Sequence, residues 1–92
     1  MPRILAFLFD DENIEKFAAR GLLWWQIEDM LDDARRLVVP NRRRRRAAFL
    51  IIGRDRTGQC IAVPVESTWE PTLWRPVTAW PCKASELARL RT

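Results

Sequence analysis

The chain has 92 residues, of which 16 are lysine or arginine and 12 are aspartate or glutamate, so its formal net charge is +4. We expect residues 1–92 to form a single domain, because a chain of this length has material for only one hydrophobic core. It contains no histidine, which excludes from any active site the side chain that most often transfers protons near neutral pH.

Charge is divided unevenly between the two parts of the chain. Residues 1–40 carry 5 basic and 8 acidic side chains, a sum of −3, whereas residues 41–92 carry 11 and 4, a sum of +7. The two sums give the total of +4. We therefore predict an acidic face and a basic face on one small body.

The first part of the chain predicts a strand followed by two helices. Residues 3–9 are mostly apolar and predict the strand, which ends at Asp10 and Asp11. Either aspartate can cap a helix that continues to Gly21. A second helix is predicted for residues 23–33, because its apolar side chains recur at helical spacing.

The rest of the chain predicts three strands and a closing helix. They follow a short extended piece and are expected at residues 44–54, 59–66, 73–80 and 84–91. Pro64 and Pro76 fall inside two of the strands and imply bulges or edge positions, because proline cannot donate to a strand ladder. The predicted fold class is α+β with the order β-α-α-β-β-β-α, in which an antiparallel sheet has helices packed on one face.

The two cysteines, Cys60 and Cys82, lack the spacing of metal-ligand pairs. We predict free thiols in a reducing cytosol rather than a disulfide between them. The apolar start is short for a signal peptide, and no stretch approaches the ~20 apolar residues that a membrane helix needs. The predicted location is therefore cytoplasmic, with no membrane partner.

A run of five arginines leads directly into the predicted strand at residues 44–54; it comprises Arg42, Arg43, Arg44, Arg45 and Arg46. A charge run that enters a strand is held on a rigid surface, so RNA phosphate is the partner we expect for it. Lys83 is assigned to the same RNA-binding surface. The alternative is that several arginines pair internally with the acidic side chains of the second helix, which are Glu28, Asp29, Asp32 and Asp33.

Five tryptophans are many for so short a chain. Exposed aromatic rings beside a basic groove suit the stacking of single-stranded RNA bases, although tryptophans more often fill a core or anchor an interface. We predict three of the five in the core. Trp69, in a connection between strands, is the one for which we expect the greatest exposure.

Most catalytic groups of familiar enzymes are missing. No histidine is present to activate a serine or cysteine, and no glycine-rich phosphate loop exists, so no cofactor is predicted. The acidic residues at 10–12 are better explained by helix capping than by a divalent cation, and no metal is predicted. The remaining route is metal-independent RNA cleavage, in which a cation stabilises the phosphate and a second group moves protons. By residue type the candidates are Arg54, Glu66, Arg75 and Lys83.

Several short motifs are informative because of the order in which they follow one another along the chain. Asp11-Glu12-Asn13 precedes a helix with Lys16 that ends at Arg20-Gly21, and Phe49–Arg54 is followed by Gly58-Gln59. Arg75–Trp80 reads Arg-Pro-Val-Thr-Ala-Trp, and Glu86 falls in the predicted closing helix. This series resembles the BrnT family, whose motifs are Asp-Glu-Asn…Lys…His-Gly, Ile-Gly…Gly-Arg and Arg-x-Ile-[Ser/Thr]-Ala-Arg.

The resemblance implies a small bacterial ribonuclease toxin with a RelE-like fold, paired with a DNA-binding antitoxin protein. It implies Arg75 and Arg54 as catalytic residues of a metal-independent endoribonuclease. The chain departs from the family pattern at Arg20, where the family has histidine, and at Trp80, where it has arginine.

Two other interpretations stay open. One is a non-catalytic BrnT-like module that binds nucleic acid or protein. The other is an interaction protein whose exposed tryptophans and acidic second helix dock a partner chain. A homodimer is compatible with each of them.

Overall fold

Residues 2–41 and 46–90, which the computed structural model describes, form three helices and six strands. The elements in chain order are β1 Ala6–Phe7, α1 Asp11–Ala18, α2 Trp24–Met30, β2 Leu37–Pro40, β3 Phe49–Arg54, β4 Cys60–Ser67, β5 Leu73–Pro76, β6 Trp80–Pro81 and α3 Ala84–Arg89. The α+β class is confirmed. Among the described residues, no helix has the length and apolar character needed to cross a bilayer.

The strands form one mixed sheet in the order β1-β5-β4-β3-β2, with β6 also paired to β4. The β2–β3, β3–β4, β4–β5 and β4–β6 pairs are antiparallel, but β1 pairs with β5 in parallel. The prediction of a purely antiparallel sheet was therefore wrong. Both helices and three strands separate β1 from β5 along the chain, and a connection of that length allows parallel pairing.

The predicted strand at residues 73–80 is interrupted after Pro76. Val65 pairs with Pro76, and Ala62 pairs with Trp80. The two β4 residues at 63–64 therefore lie opposite the three residues at 77–79, between β5 and β6. One extra residue of this kind makes a β-bulge, as the proline suggested. The Val77 N–H still donates to the Pro64 carbonyl across the interruption, at 2.9 Å.

Three other predicted elements are shorter in the structure. β1 covers only Ala6–Phe7 of the expected 3–9, and α2 ends at Met30 instead of continuing to residue 33. The strand predicted at 44–54 begins at Phe49, so the arginine run does not enter it directly. Arg42, Arg43, Arg44 and Arg45 lie outside the described residues, and Arg46 precedes the strand with an exposed side chain.

Helix α1 begins at the cap predicted for it. Asp10 is the N-cap residue, and its carboxylate accepts the Asn13 N–H at 2.8 Å while the Asn13 side chain accepts the Asp10 N–H at 3.0 Å. This reciprocal pair satisfies two backbone donors that the first turn would otherwise leave without partners. The buried Asn13 amide also donates to the carbonyls of Leu8 and Pro76, which ties the helix start to β5.

The main core lies between the first two helices and one face of the sheet. Phe17 of α1 and Ile27 and Met30 of α2 belong to the same buried cluster as alternate residues of β3 and β4. Those strand residues are Ile51, Ile61, Val63 and Val65. Because successive strand side chains point to opposite faces, Leu50 and Ile52 face away from this core.

A disulfide joins Cys60 to Cys82, so the prediction of free thiols was wrong. Cys60 begins β4 and Cys82 follows β6, and the pairing of these two strands brings their Cα atoms to 5.3 Å. The Cys82 N–H also donates to the Cys60 carbonyl at 2.9 Å. The sequence does not reveal that the two cysteines are close, because they are 22 residues apart. Their proximity depends on the pairing of β4 with β6, which follows the bulge.

Candidate nucleic-acid interface

Arg75 lies in β5 at the centre of an ion-pair cluster. Its guanidinium donates to Asp10 at 2.6 and 3.1 Å, to Glu12 at 2.7 Å and to Glu66 at 2.8 Å. The Arg75 side chain is only 13% exposed. A phosphate group would therefore have to displace carboxylates before it could contact this residue.

The pKa shifts of Asp10, Glu66 and Arg75 all favour the charged form of the side chain. The hydrogen bond from Arg75 is the largest influence on Asp10 and lowers its pKa, and the same bond raises the pKa of Arg75. Burial acts most strongly on Glu66 and raises its pKa, but hydrogen bonds from Arg46 and Arg75 outweigh burial, so the pKa is lowered overall. Glu66 is therefore a poor general acid near neutral pH.

Arg54 is far from Arg75. Arg54 pairs with Cys60 at one end of β4, and Arg75 pairs with Glu66 six positions further along the same strand. At about 3.3 Å per residue, this separation is about 20 Å. The exposed Arg54 side chain donates to the Gly58 carbonyl, and its N–H donates to Asp33. The structure thus does not bring the two predicted catalytic arginines together.

Two other arginines form internal ion pairs, and one of these pairs involves an acidic residue of the second helix, as the alternative to RNA contact predicted. Arg56 pairs with Asp29 of α2 at 3.1 Å, and its guanidinium carbon lies 5.6 Å from the centre of the Trp25 ring. Arg46 pairs with Glu66 at 3.1 Å. Both arginines remain largely exposed, so these pairs hold them only weakly in solution.

A recess of about 500 Å³ lies on the sheet face opposite the main core. Its lining residues come from β2, β3, β6 and α3: Val39, Pro40, Asn41, Leu50, Ile52, Trp80, Lys83, Ser85, Glu86 and Arg89. We call it the Trp80 cleft. It combines an aromatic ring, an apolar floor and two cationic side chains.

A hydrogen bond holds the edge of the Trp80 ring, and two cationic side chains lie near the ring. Its indole N–H donates to the Glu86 carboxylate at 3.0 Å, and the same carboxylate accepts the Lys83 N–H at the start of α3. The Lys83 ammonium lies 5.7 Å from the ring centre and the Arg20 guanidinium carbon 5.6 Å. Lys83, predicted to bind RNA, therefore lies beside an aromatic ring as such a site requires.

Asn41 connects this cleft to the arginine run. It lines the cleft and immediately precedes Arg42. Its side-chain Nδ2 is buried and has no hydrogen-bond partner among the described residues. A buried donor without a partner costs about 1–3 kcal/mol. Sequence reasoning missed Asn41, because a lone asparagine after a strand reads as a turn residue.

Fewer tryptophans lie in the core than the sequence predicted. Trp69 is the most exposed at 80%, as predicted, and Trp24 and Trp25 are exposed at 44% and 37%. Trp74 is buried in the main core, and Trp80 is half-buried in the cleft. One tryptophan rather than three therefore belongs to the core.

Comparison with known proteins adds no relative. Neither a protein family model nor a curated protein matches the chain.

Proposed function

We propose that the chain binds single-stranded nucleic acid, with RNA as the expected ligand, in the Trp80 cleft, and that it does so without cleaving it. The observation that carries this proposal is that Lys83 and Arg89 line the same cleft as Trp80, with the Lys83 ammonium 5.7 Å from the centre of the ring. Proteins that bind single strands combine stacking rings with a basic groove along the backbone.

The size and lining of the cleft support this choice. A volume of about 500 Å³ is within the range of small-ligand sites, so one nucleotide or two can enter. Leu50 and Ile52 supply an apolar floor for a base, and Lys83 and Arg89 can neutralise phosphate. Glu86 is the one carboxylate among the lining residues, and its hydrogen bonds to Trp80 and Lys83 already occupy it.

The arginine run can extend the binding surface beyond the cleft. Asn41 lies at the cleft and the run follows it directly in the sequence. Each phosphate neutralised along a single strand contributes about 0.7 to the slope of log affinity against log salt concentration. A ligand that contacts both the cleft and the run should therefore bind with a steep salt dependence.

Cleavage is the less supported activity, for two reasons. Arg75 is held by three carboxylates, and Arg54 lies about 20 Å away along β4. Asp10 and Glu66, which accept hydrogen bonds from Arg75, both have lowered pKa values, so neither is suited to donate a proton near neutral pH. Nucleic-acid binding needs none of these groups.

A divergent BrnT-like toxin is the second candidate function. One observation favours it: Arg20 and Trp80, two of the positions at which the chain departs from the family motifs, contact each other. Paired changes at contacting positions are what we expect where an ancestral site has been rebuilt. On this proposal the protein would be cytoplasmic, would have a RelE-like arrangement of sheet and helices, and would pair with a small antitoxin protein.

The test is the binding of a fluorescein-labelled oligouridine, followed by fluorescence anisotropy over a range of salt concentrations. The double variant Lys83→Gln, Arg89→Gln should bind at least about tenfold more weakly, with a salt slope reduced by about 1.4. The matched control Lys16→Gln, Arg35→Gln removes two exposed cations elsewhere and should bind as the parent protein does.

Incubation of total RNA with the purified protein, with and without EDTA, separates the two candidate functions. Intact RNA together with cleft-dependent binding supports the binding module. Cleavage that disappears in Arg75→Lys supports the toxin. Equal weakening by the cleft variant and the control would reject the Trp80 cleft as the binding site.

A further inference from the structure

A second surface lies around β1, at the edge of the sheet and away from the residues that line the Trp80 cleft. β1 is the terminal strand in the sheet order. A recess of about 350 Å³ adjoins it, lined by Leu5, Ala6, Phe7, Trp25, Glu28, Asp29, Leu31, Asp32 and Arg56. We call this the β1 recess. It joins an extended backbone to apolar and acidic side chains.

The backbone at this edge is in the conformation that accepts another strand. The N–H groups of Ala6 and Leu8 donate to Thr72 and Trp74 on the β5 side, at 3.3 and 2.9 Å. Since backbone groups of successive strand residues point to opposite edges, the N–H and C=O of Phe7 point away from β5. An edge of this kind is where extended peptides add to a sheet.

The side chains around this edge include both exposed apolar groups and carboxylates. Leu5 is 59% exposed and Trp25 37% exposed, and both line the same recess, so the exposed apolar surface is contiguous there as at interaction sites. Glu28 and Asp32 carry exposed or partly exposed carboxylates, and Asp29 is neutralised by Arg56. Three carboxylates and one guanidinium leave the recess acidic although the whole chain is basic.

The geometry points to a protein partner that inserts a basic extended segment, with apolar and cationic residues in alternation, as a new strand beside β1. Because Leu5, Trp25, Glu28 and Asp32 line one recess, every second side chain of the added strand would point into it. Long cationic side chains at those positions can pack their methylene groups on Leu5 and Trp25 while their charged ends reach Glu28 and Asp32. A second copy of this chain paired through the same edge fits poorly. Such a symmetric contact would place the two acidic rims against each other.

The probe for the test is a fluorescein-labelled peptide of alternating arginine and valine. Anisotropy should show saturable binding that weakens with salt, and a peptide of alternating glutamate and valine should not bind. Glu28→Lys should weaken binding of the basic peptide at least about tenfold, since it converts attraction into repulsion in the recess. Glu15→Lys, an exposed glutamate of α1, is the matched control and should leave binding unchanged.

Two further readouts distinguish strand addition from simple charge attraction. Hydrogen exchange of the Phe7 amide should slow in the complex, and a peptide with proline at its central position should lose most of its affinity. Equal binding by Glu28→Lys and Glu15→Lys would overturn the proposal, and so would an unchanged Phe7 exchange rate. A homodimer in light scattering that Leu5→Ser dissolves would also overturn it, because the chain would then occupy its own recess. The Lys83→Gln, Arg89→Gln variant should keep full peptide affinity, so failure of RNA binding leaves this test intact.

Discussion

The guanidinium carbon of Arg20 lies 5.6 Å from the centre of the Trp80 indole ring, across the junction of α1 and β6. Lys83 approaches the same ring to 5.7 Å. Contacts of this type contribute about 0.5–2 kcal/mol each, and here they hold two cations beside the cleft. A positively charged site around an aromatic ring is thus built from residues that are distant in sequence.

Replacement of Trp80 should weaken RNA binding more than it weakens the fold. Trp80→Leu removes the stacking surface, which is worth about 1–3 kcal/mol per base, so the dissociation constant should rise about fivefold to 150-fold. The measurement is oligouridine anisotropy, with circular dichroism to verify folding. Trp24→Leu, which removes another exposed ring, should bind normally; a similar loss in that variant would argue against a specific role of Trp80.

Removal of the Arg75 guanidinium should act on stability and leave RNA binding unchanged. Arg75→Met leaves Asp10 and Glu66 without their shared partner, and the free energy of unfolding should fall by about 2 kcal/mol. This is below the cost for a fully buried pair because the Asp10 side chain is 40% exposed. Urea titration measures the effect. A stable Arg75→Met protein that has lost an RNA-directed activity would instead identify Arg75 as a functional residue.

The same cluster predicts a loss of stability in acid. The folded-state pKa values of Asp10 and Glu66 lie below the ordinary values of 3.8 and 4.5, so the unfolded chain takes up protons first as the pH falls. Stability from these groups is complete above the ordinary values and is lost as the pH drops through the lower folded-state values. Thermal midpoints should change little between neutrality and about pH 5 and fall below about pH 4. The fall should be shallower in Arg75→Met.

Reduction of the Cys60–Cys82 disulfide should loosen the cleft before the core unfolds. The bridge joins residues that are 22 positions apart and should contribute about 3 kcal/mol through the entropy of the unfolded chain. Cys82 lies between β6 and α3, so the disulfide anchors the start of α3 to β4. After reduction, hydrogen exchange should therefore increase first in Ala84–Arg89. Dithiothreitol on the parent protein, with Cys60→Ser, Cys82→Ser as the control, tests this. Unchanged exchange in α3 would contradict it.

Local patterns were enough for much of the fold. The Asp10 cap, the presence of two early helices and the hairpin turn before Cys60 each depend on residues within a few positions of one another. In the turn, burial raises the pKa of Asp55 most strongly, but hydrogen bonds from Thr57, Gln26 and Gln59 outweigh it and lower the pKa overall. The Asp55 carboxylate thus stays ionised in the connection between β3 and β4.

Long-range pairing explains what the sequence did not predict. Arg75 reads as an available cation because its partners Asp10 and Glu12 precede it by 65 and 63 residues. The parallel β1–β5 pair and the disulfide likewise depend on the register of strands that are separate in sequence. Lys83 was predicted for the interface, but its neighbour Trp80 was noticed only as a departure from a motif.

The β-bulge between β5 and β6 decides which residue reaches the cleft. With the three residues Val77, Thr78 and Ala79 between Pro76 and Trp80, Ala79 falls in the buried core cluster and Trp80 faces the opposite side. A chain shortened by one residue here would exchange the two, because a shift of one position inverts the faces of a strand. The indole would then press into the main core and a methyl group would stand in the cleft. The one additional residue of the bulge thus places the Trp80 ring in the cleft and keeps it out of the main core.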